Sequence, residues 1–150
     1  MAMNTSRYAE AAEAARTPER RYKAKRKRIL VVEMDRLSFI VLRQLLTAQG
    51  YEILRSSEGW DGINRARIEQ PDLIVIDIKL PDICGIDAAR LLKQHHETMN
   101  IPIIALTAFA GPEDEAHALE NGCDAFLAKP INMNNLLRTV DLFLASASLP

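Results

Sequence analysis

Glycine is sparse in this chain, six in 150 residues, and none falls in the loop Glu33-Met34-Asp35-Arg36-Leu37-Ser38 that follows the first apolar run. A nucleotide or flavin phosphate at such a place would want a glycine-rich loop of backbone N–H donors opening onto a helix. The loop is acidic instead, so it repels a phosphate unless a cation intervenes. Cysteine is sparser still. Cys84 and Cys123 stand far apart and form no C-x-x-C pair, which supports neither a zinc site nor a redox motif and reads as two small packing residues. No apolar stretch reaches the roughly 20 residues of a membrane span, and the N-terminus carries charge where a signal peptide would be apolar. Membrane insertion is therefore not expected, and the expected location is cytoplasmic.

What is present suits one domain: 48% hydrophobic residues in a chain of this length supply an adequate core and leave no room for a second catalytic domain. The formal net charge of -1 hides two unlike segments. Up to Arg28, nine basic residues stand against Glu10, Glu13 and Glu19, so that segment carries +6 and the remainder -7. The first segment is rich in Ala and Glu, is interrupted by Pro18 and lacks a sustained apolar stripe. Residues 1–27 are accordingly expected to be a basic arm, a frayed helix or disordered, with the folded domain over 28–150. Its basic stretch from Arg20 to Arg28 has no interleaved aromatics beyond Tyr22, so a solubilising role is favoured over nucleic-acid binding.

From Arg28 onward a strand-then-helix pattern repeats five times. Strands are expected at 29–32, 73–77, 103–107 and 125–129, short runs dominated by apolar residues, and at 52–55, a shorter mixed run. The first helix is expected from Ser38 to Gln49, with Phe39, Leu42, Leu45 and Leu46 at helical spacing and Gly50 as its stop. Ser57 is expected to cap the second, which runs to about Gln70 before Pro71. The third runs from Gly85 to about Gln94. The fourth has Pro112 in its first turn, with Glu113, Asp114 and Glu115 complementing its dipole and Gly122 ending it. The fifth covers Asn132 to Ala145. Alternation of this kind, with short connections, predicts a flavodoxin-like, doubly wound α/β fold: five parallel strands in the order 2-1-3-4-5, covered by five helices.

Three polar residues end apolar strands: Asp77 after Leu73-Ile74-Val75-Ile76, Thr107 after Ile103-Ile104-Ala105-Leu106, and Lys129 after Ala125-Phe126-Leu127-Ala128. The C-terminal strand ends of an open parallel sheet form its ligand crevice. A carboxylate, a hydroxyl and an ammonium are thus expected to meet there. Carboxylates at Glu33, Asp35 and Asp77 make a hard-oxygen environment suited to Mg²⁺, which keeps several waters and readily bridges a phosphoryl group.

On these residues the chain resembles a response-regulator receiver domain of a two-component phosphorelay, over about Arg28 to Ala145. The resemblance rests on the acidic loop, on Asp77 followed by Lys79-Leu80-Pro81-Asp82 and Gly85, on Thr107-Ala108 and on Lys129-Pro130. Gly50-Tyr51, Thr107-Ala108-Phe109-Ala110 and Lys129-Pro130-Ile131 look most like stand-alone receivers of the cell-division-control type. The resemblance implies that Asp77 is the phosphoacceptor, that Lys129 neutralises charge developing on the phosphoryl group, and that Thr107 hydrogen-bonds a phosphoryl oxygen. It further implies a cis Lys129-Pro130 bond and an Mg²⁺ site made by Glu33, Asp77 and the Lys79 carbonyl. Phe126 occupies the position of an aromatic rotamer switch. The implied partners are a sensor histidine kinase or histidine phosphotransfer protein, and a downstream protein met by the last two helices and the fifth strand. No output domain is expected after Ala145, and no independent substrate turnover beyond the domain's own phosphoryl transfer and dephosphorylation.

One departure matters. Receivers usually carry two adjacent acids after the first strand, and this chain has Glu33-Met34. A thioether is a poor ligand for a hard cation, so Mg²⁺ binding is expected to be weak or compromised. Asp35 either turns inward and compensates or stays in solvent, and Lys79 is an alternative built-in cation. Two functions follow: a phosphorylatable switch, favoured by Asp77, Thr107 and Lys129, or a pseudo-receiver that binds without phosphate, favoured by Met34. A phosphatase of the haloacid-dehalogenase kind would want an acid at position 79 and is set aside. His95 and His96, at a helix end, are read as solvent-facing, and Trp60 as a packing residue.

Overall fold

The computed structural model describes residues 26–108 and 111–144. The basic arm expected over 1–27 lies, up to residue 25, outside them. Five strands form: β1 (Arg28–Val32), β2 (Glu52–Ser56), β3 (Leu73–Asp77), β4 (Ile103–Thr107) and β5 (Ala125–Ala128). All neighbours pair in parallel, in the order β2-β1-β3-β4-β5. Parallel strands need crossovers, and the chain supplies them as α1 (Arg36–Ala48), α2 (Gly59–Glu69), α3 (Gly85–Gln94) and α4 (Pro112–Glu120), with α5 (Met133–Leu144) closing the fold.

The period of two along each strand divides the core. Ile29, Val31, Leu73, Val75, Ile104 and Leu106 pack beneath α1 and α5, with Phe39, Leu42, Leu46, Leu136, Val140 and Leu144. Leu30, Val32, Ile74, Ile76, Ile103 and Ala105 face the other way, against α2, α3 and Ala118 of α4. With both faces covered, β3 and β4 are buried at every residue. Each fully buried Leu or Ile contributes about 1.5–3 kcal/mol relative to exposure, so the central strands anchor the site at their ends.

Helix boundaries shift by a residue or two from expectation, and the reasons are local. The first helix starts at Arg36 rather than Ser38 because Asp35 is its N-cap, accepting a 2.8 Å hydrogen bond from Ser38 N. Ser57 does not cap α2; Glu58 holds that position and offers no side-chain bond. Asn132 lies before α5 rather than in it, and its Oδ1 accepts from Asn135 N at 2.9 Å. The α4 helix stops at Glu120, with Asn121 at its C-cap, while Gly122 takes φ +103° just beyond. The Lys129–Pro130 bond is cis.

Tyr51 ties the α1–β2 turn to α5 by donating a 3.1 Å hydrogen bond to Asp141 Oδ1. Burial, aided by the neighbouring carboxylate, pushes its phenol up to about 12 from 10.0. A raised phenol stabilises the native state below its unfolded value, and that contribution disappears as pH rises from 10.0 through about 12. Unfolding titrations across that window should show a steeper stability loss for the wild type than for Tyr51→Phe. Parallel curves would mean that the phenol does not sense folding.

Candidate functional site

Strand register alone brings four chemical groups to one edge. Val32 pairs with Ile76, so Glu33 and Asp77 follow side by side; Asp77 pairs with Leu106, and Thr107 with Ala128, which places Thr107 and Lys129 next along. Glu33 N donates to Ser56 O at 2.9 Å and Lys129 N to Thr107 O at 2.7 Å, so the ladder extends to the residues that carry the chemistry. Glu33 is fully buried, and Asp77 and Thr107 are each 6% exposed.

Lys129 is the hub. Its Nζ donates at 2.7 Å to Glu33 Oε1 and at 2.7 Å to Asp77 Oδ2. The other two carboxylate oxygens accept backbone N–H groups: Glu33 Oε2 from Asp35 at 3.0 Å and Asp77 Oδ1 from Lys79 at 2.9 Å. Burial raises the Glu33 carboxyl above its usual value; Lys129 and the Asp35 N–H oppose this, and the adjacent Asp77 adds to it. Burial by itself would lower the Lys129 ammonium, but hydrogen bonds to Asp77 and Glu33 outweigh it and hold the group above its ordinary value. Two buried carboxyl groups thus share one ammonium.

The fate of Asp35 is decided by the cap. Its side chain serves the α1 N-terminus, and its backbone N–H, not its carboxylate, contacts Glu33. It therefore does not replace the acid missing at position 34, where Met34 is 49% exposed. Among the described residues, no group of three or more His, Cys, Asp or Glu side chains is placed to hold a metal ion. The pair Glu33 and Asp77 still fits a cation that keeps most of its water, because Mg²⁺ is commonly held by one or two carboxylates plus phosphate.

Lys79, an exposed residue, lies on the wall of a cavity of about 500 Å³ that opens beside Thr107 and is lined by Leu80, Pro81, Ile83, Cys84 and Ile86. Gly85 N donates to Ile78 O at 2.7 Å, and a Cβ at Gly85 would collide with the Asp77 carbonyl oxygen, so the backbone behind the carboxylate is closely packed. Phe126 on β5 is half-buried against the core layer that includes Ala118 of α4. His95 caps the far end of α3 and His96 is exposed, both apart from the carboxylates. Trp60, read as core or surface packing, is 55% exposed at the start of α2.

Two features escaped the sequence reading. Arg55 lies over the Phe39 ring, 4.4 Å from its centroid, on the side of the sheet below Glu33. Asp82 accepts the first N–H groups of α2, from Gly59 at 2.8 Å and Trp60 at 2.9 Å. Neither contact is local in sequence, and no spacing signals it.

Five parallel strands in the order β2-β1-β3-β4-β5, with a carboxylate, a hydroxyl and an ammonium at the strand ends, form a fold shared with known receiver domains. The sequence profile of the response regulator receiver domain matches residues 29–141. The chain belongs to that family. It is 37% identical over 121 residues to the polar-differentiation response regulator DivK of Brucella ovis, covering 81% of this chain and 98% of the relative, and equally similar to DivK of Brucella abortus. A putative response regulator from Chloroflexus aurantiacus superimposes with a TM-score of 0.78 at 30% identity, over 81% of this chain and 99% of that one. The receiver domain of a Pseudomonas aeruginosa sensor histidine kinase superimposes with a TM-score of 0.74 at 29% identity, over 80% and 98%; its structure has a magnesium ion coordinated in the active site cleft. The expected resemblance to stand-alone cell-division receivers is thus met by DivK.

Proposed function

We propose that the chain is a single-domain response regulator that accepts a phosphoryl group on Asp77 from a phosphohistidine of a sensor histidine kinase or histidine phosphotransfer protein, and signals through protein contacts. The observation that carries this is the setting of Asp77: a nearly buried carboxylate at the end of β3, held between Lys129 Nζ and Lys79 N. One carboxylate oxygen attacks phosphorus in line, the P–N bond breaks, and its electron pair returns to the imidazole nitrogen, leaving an acyl phosphate. Lys129 is already within reach of the charge that develops on the phosphoryl oxygens, and Thr107 ends the adjacent strand as a donor to one of them. Glu33, Asp77 and the Lys79 carbonyl would hold Mg²⁺, which supplies neutralisation of the same oxygens.

The output side of the proposal rests on exposure. Eight of the nine α4 residues are exposed, and Leu119, Met133 and Leu142 present apolar side chains to solvent on α4 and α5. A protein partner is a natural cover for such a face. Movement of Thr107 toward a phosphoryl group would change the packing beside Phe126 on β5. No helix among the described residues is long and apolar enough to cross a membrane.

Met34 favours a second reading, a pseudo-receiver with weak or no Mg²⁺-dependent phosphorylation. Phosphoryl uptake by the wild type separates the two, and Met34→Asp, which adds one charged oxygen ligand, tests the deficit at position 34. On the proposal, titration shows Mg²⁺ binding tighter by on the order of tenfold, with faster phosphorylation by a small acyl phosphate donor. Unchanged values in both assays would contradict a ligand deficit at position 34. A wild type that gains no phosphoryl group under any Mg²⁺ concentration would establish the pseudo-receiver.

A further inference from the structure

Every helix begins with N–H groups that lack intrahelical partners, and the N-cap of α2, Glu58, makes no side-chain capping bond to them. A carboxylate from another element does so. Asp82 Oδ1 accepts from Gly59 N at 2.8 Å and from its neighbour Ile83 N at 3.0 Å, and Oδ2 accepts from Trp60 N at 2.9 Å. The bond from Trp60 N is the main cause holding the Asp82 carboxyl below its usual value, and Gly59 and Ile83 act in the same direction. The two elements also touch closely: a Cβ at Gly59 would collide with Ile83.

The loop that carries Asp82, residues 78–84, also carries Lys79, whose N–H fixes Asp77 Oδ1. At its far end the loop is closed by Gly85 N bonding Ile78 O at 2.7 Å. The Lys79 amide on this loop and Lys129 Nζ together hold the two oxygens of the Asp77 carboxylate. We propose that Asp82 is a positioning residue for phosphoryl transfer, anchoring the loop to the N-terminus of α2 so that the Lys79 amide holds Asp77 in its reactive orientation. This deepens the reading of Asp77 as phosphoacceptor and rests on it. Asp82 touches no reacting atom. It acts through the Lys79 amide.

The test compares Asp82→Ala and Asp82→Asn with Ser56→Ala. Ser56 Oγ supports the same helix start from its own side, donating to Asp61 Oδ2 at 2.7 Å, with no side-chain hydrogen bond to loop 78–84. In the full chain, the Lys79 amide is followed by NMR shift and hydrogen exchange, and phosphorylation by an acyl phosphate donor is followed by intact mass. Asp82→Ala should move the Lys79 resonance, speed its exchange and slow phosphorylation on the order of tenfold, the scale of a slightly misplaced reacting group. Asp82→Asn, which keeps one acceptor, should fall between, and it carries the comparison should the alanine variant not fold. Ser56→Ala should lower thermal stability while leaving the Lys79 amide and the rate within about twofold.

An unchanged Lys79 amide and rate in Asp82→Ala would overturn the proposal. So would equal slowing in Ser56→Ala, which would make the effect a general loosening of α2. If the wild type itself takes up no phosphoryl group, the phosphoacceptor reading fails, and the Lys79 amide still decides whether Asp82 holds the loop.

Discussion

Asp77→Asn is expected to give a folded protein that no longer accepts a phosphoryl group. The substitution keeps shape and volume in a nearly buried position, but it exchanges an anionic oxygen for a neutral amide, which is a far weaker nucleophile. It also places an NH₂ group where both neighbours, Lys129 Nζ at 2.7 Å and Lys79 N at 2.9 Å, are donors, so one contact must turn donor against donor. The remaining carboxylate, Glu33, keeps the Lys129 ion pair and prevents an unpaired buried charge. Labelling should therefore fall below detection while thermal unfolding remains cooperative. Label retained by this variant would remove Asp77 from the role.

Lys129→Met should show the other large effect, on stability and rate together. The ammonium is 16% exposed at its side chain and is the shared partner of two carboxylates that are 1% and 8% exposed. Removing one member of a buried ion pair commonly costs about 3–5 kcal/mol, because the charge left behind has no partner. Part of that cost is avoidable by protonation. Glu33 already lies above its ordinary 4.5, and losing Lys129 removes an interaction that lowers it, so the carboxyl moves higher still.

A raised carboxyl stabilises the native state below its unfolded value and loses that contribution as pH rises through the folded one. The variant should thus be least impaired at or below the ordinary value of 4.5 and most impaired at neutral pH, by denaturant titration at each. An equal deficit at both would show that the loss is one of packing. Phosphorylation should slow by on the order of a hundredfold, the scale of removing one fixed charge from a site of developing anionic charge.

The strand runs were legible because parallel strands buried on both faces must be apolar throughout, and Leu73 to Ile76 and Ile103 to Leu106 contain nothing else. Once those runs are strands, topology brings their C-terminal ends together, and Asp77, Thr107 and Lys129 become neighbours without further information. The orientation of Asp35 was not legible. It depends on whether a loop carboxylate serves a helix start or a cation, and both are satisfied by the same residue type at the same spacing. Asp82 was hidden for a different reason: its donors on Gly59 and Trp60 are brought to it only by the packing of two crossovers. The helix boundaries missed by a residue or two, at Arg36 and Met133, fail on the same physics of caps.

The most direct measurement is intact-mass analysis, with peptide mapping, of the wild type and Asp77→Asn after incubation with a small acyl phosphate donor, with and without Mg²⁺. Phosphoryl transfer to Asp77 predicts one adduct on the wild type, increased by Mg²⁺, located in the peptide containing Asp77 and absent from the variant. No adduct at any Mg²⁺ concentration, or an adduct that persists in Asp77→Asn and maps to His95 or His96, would contradict it.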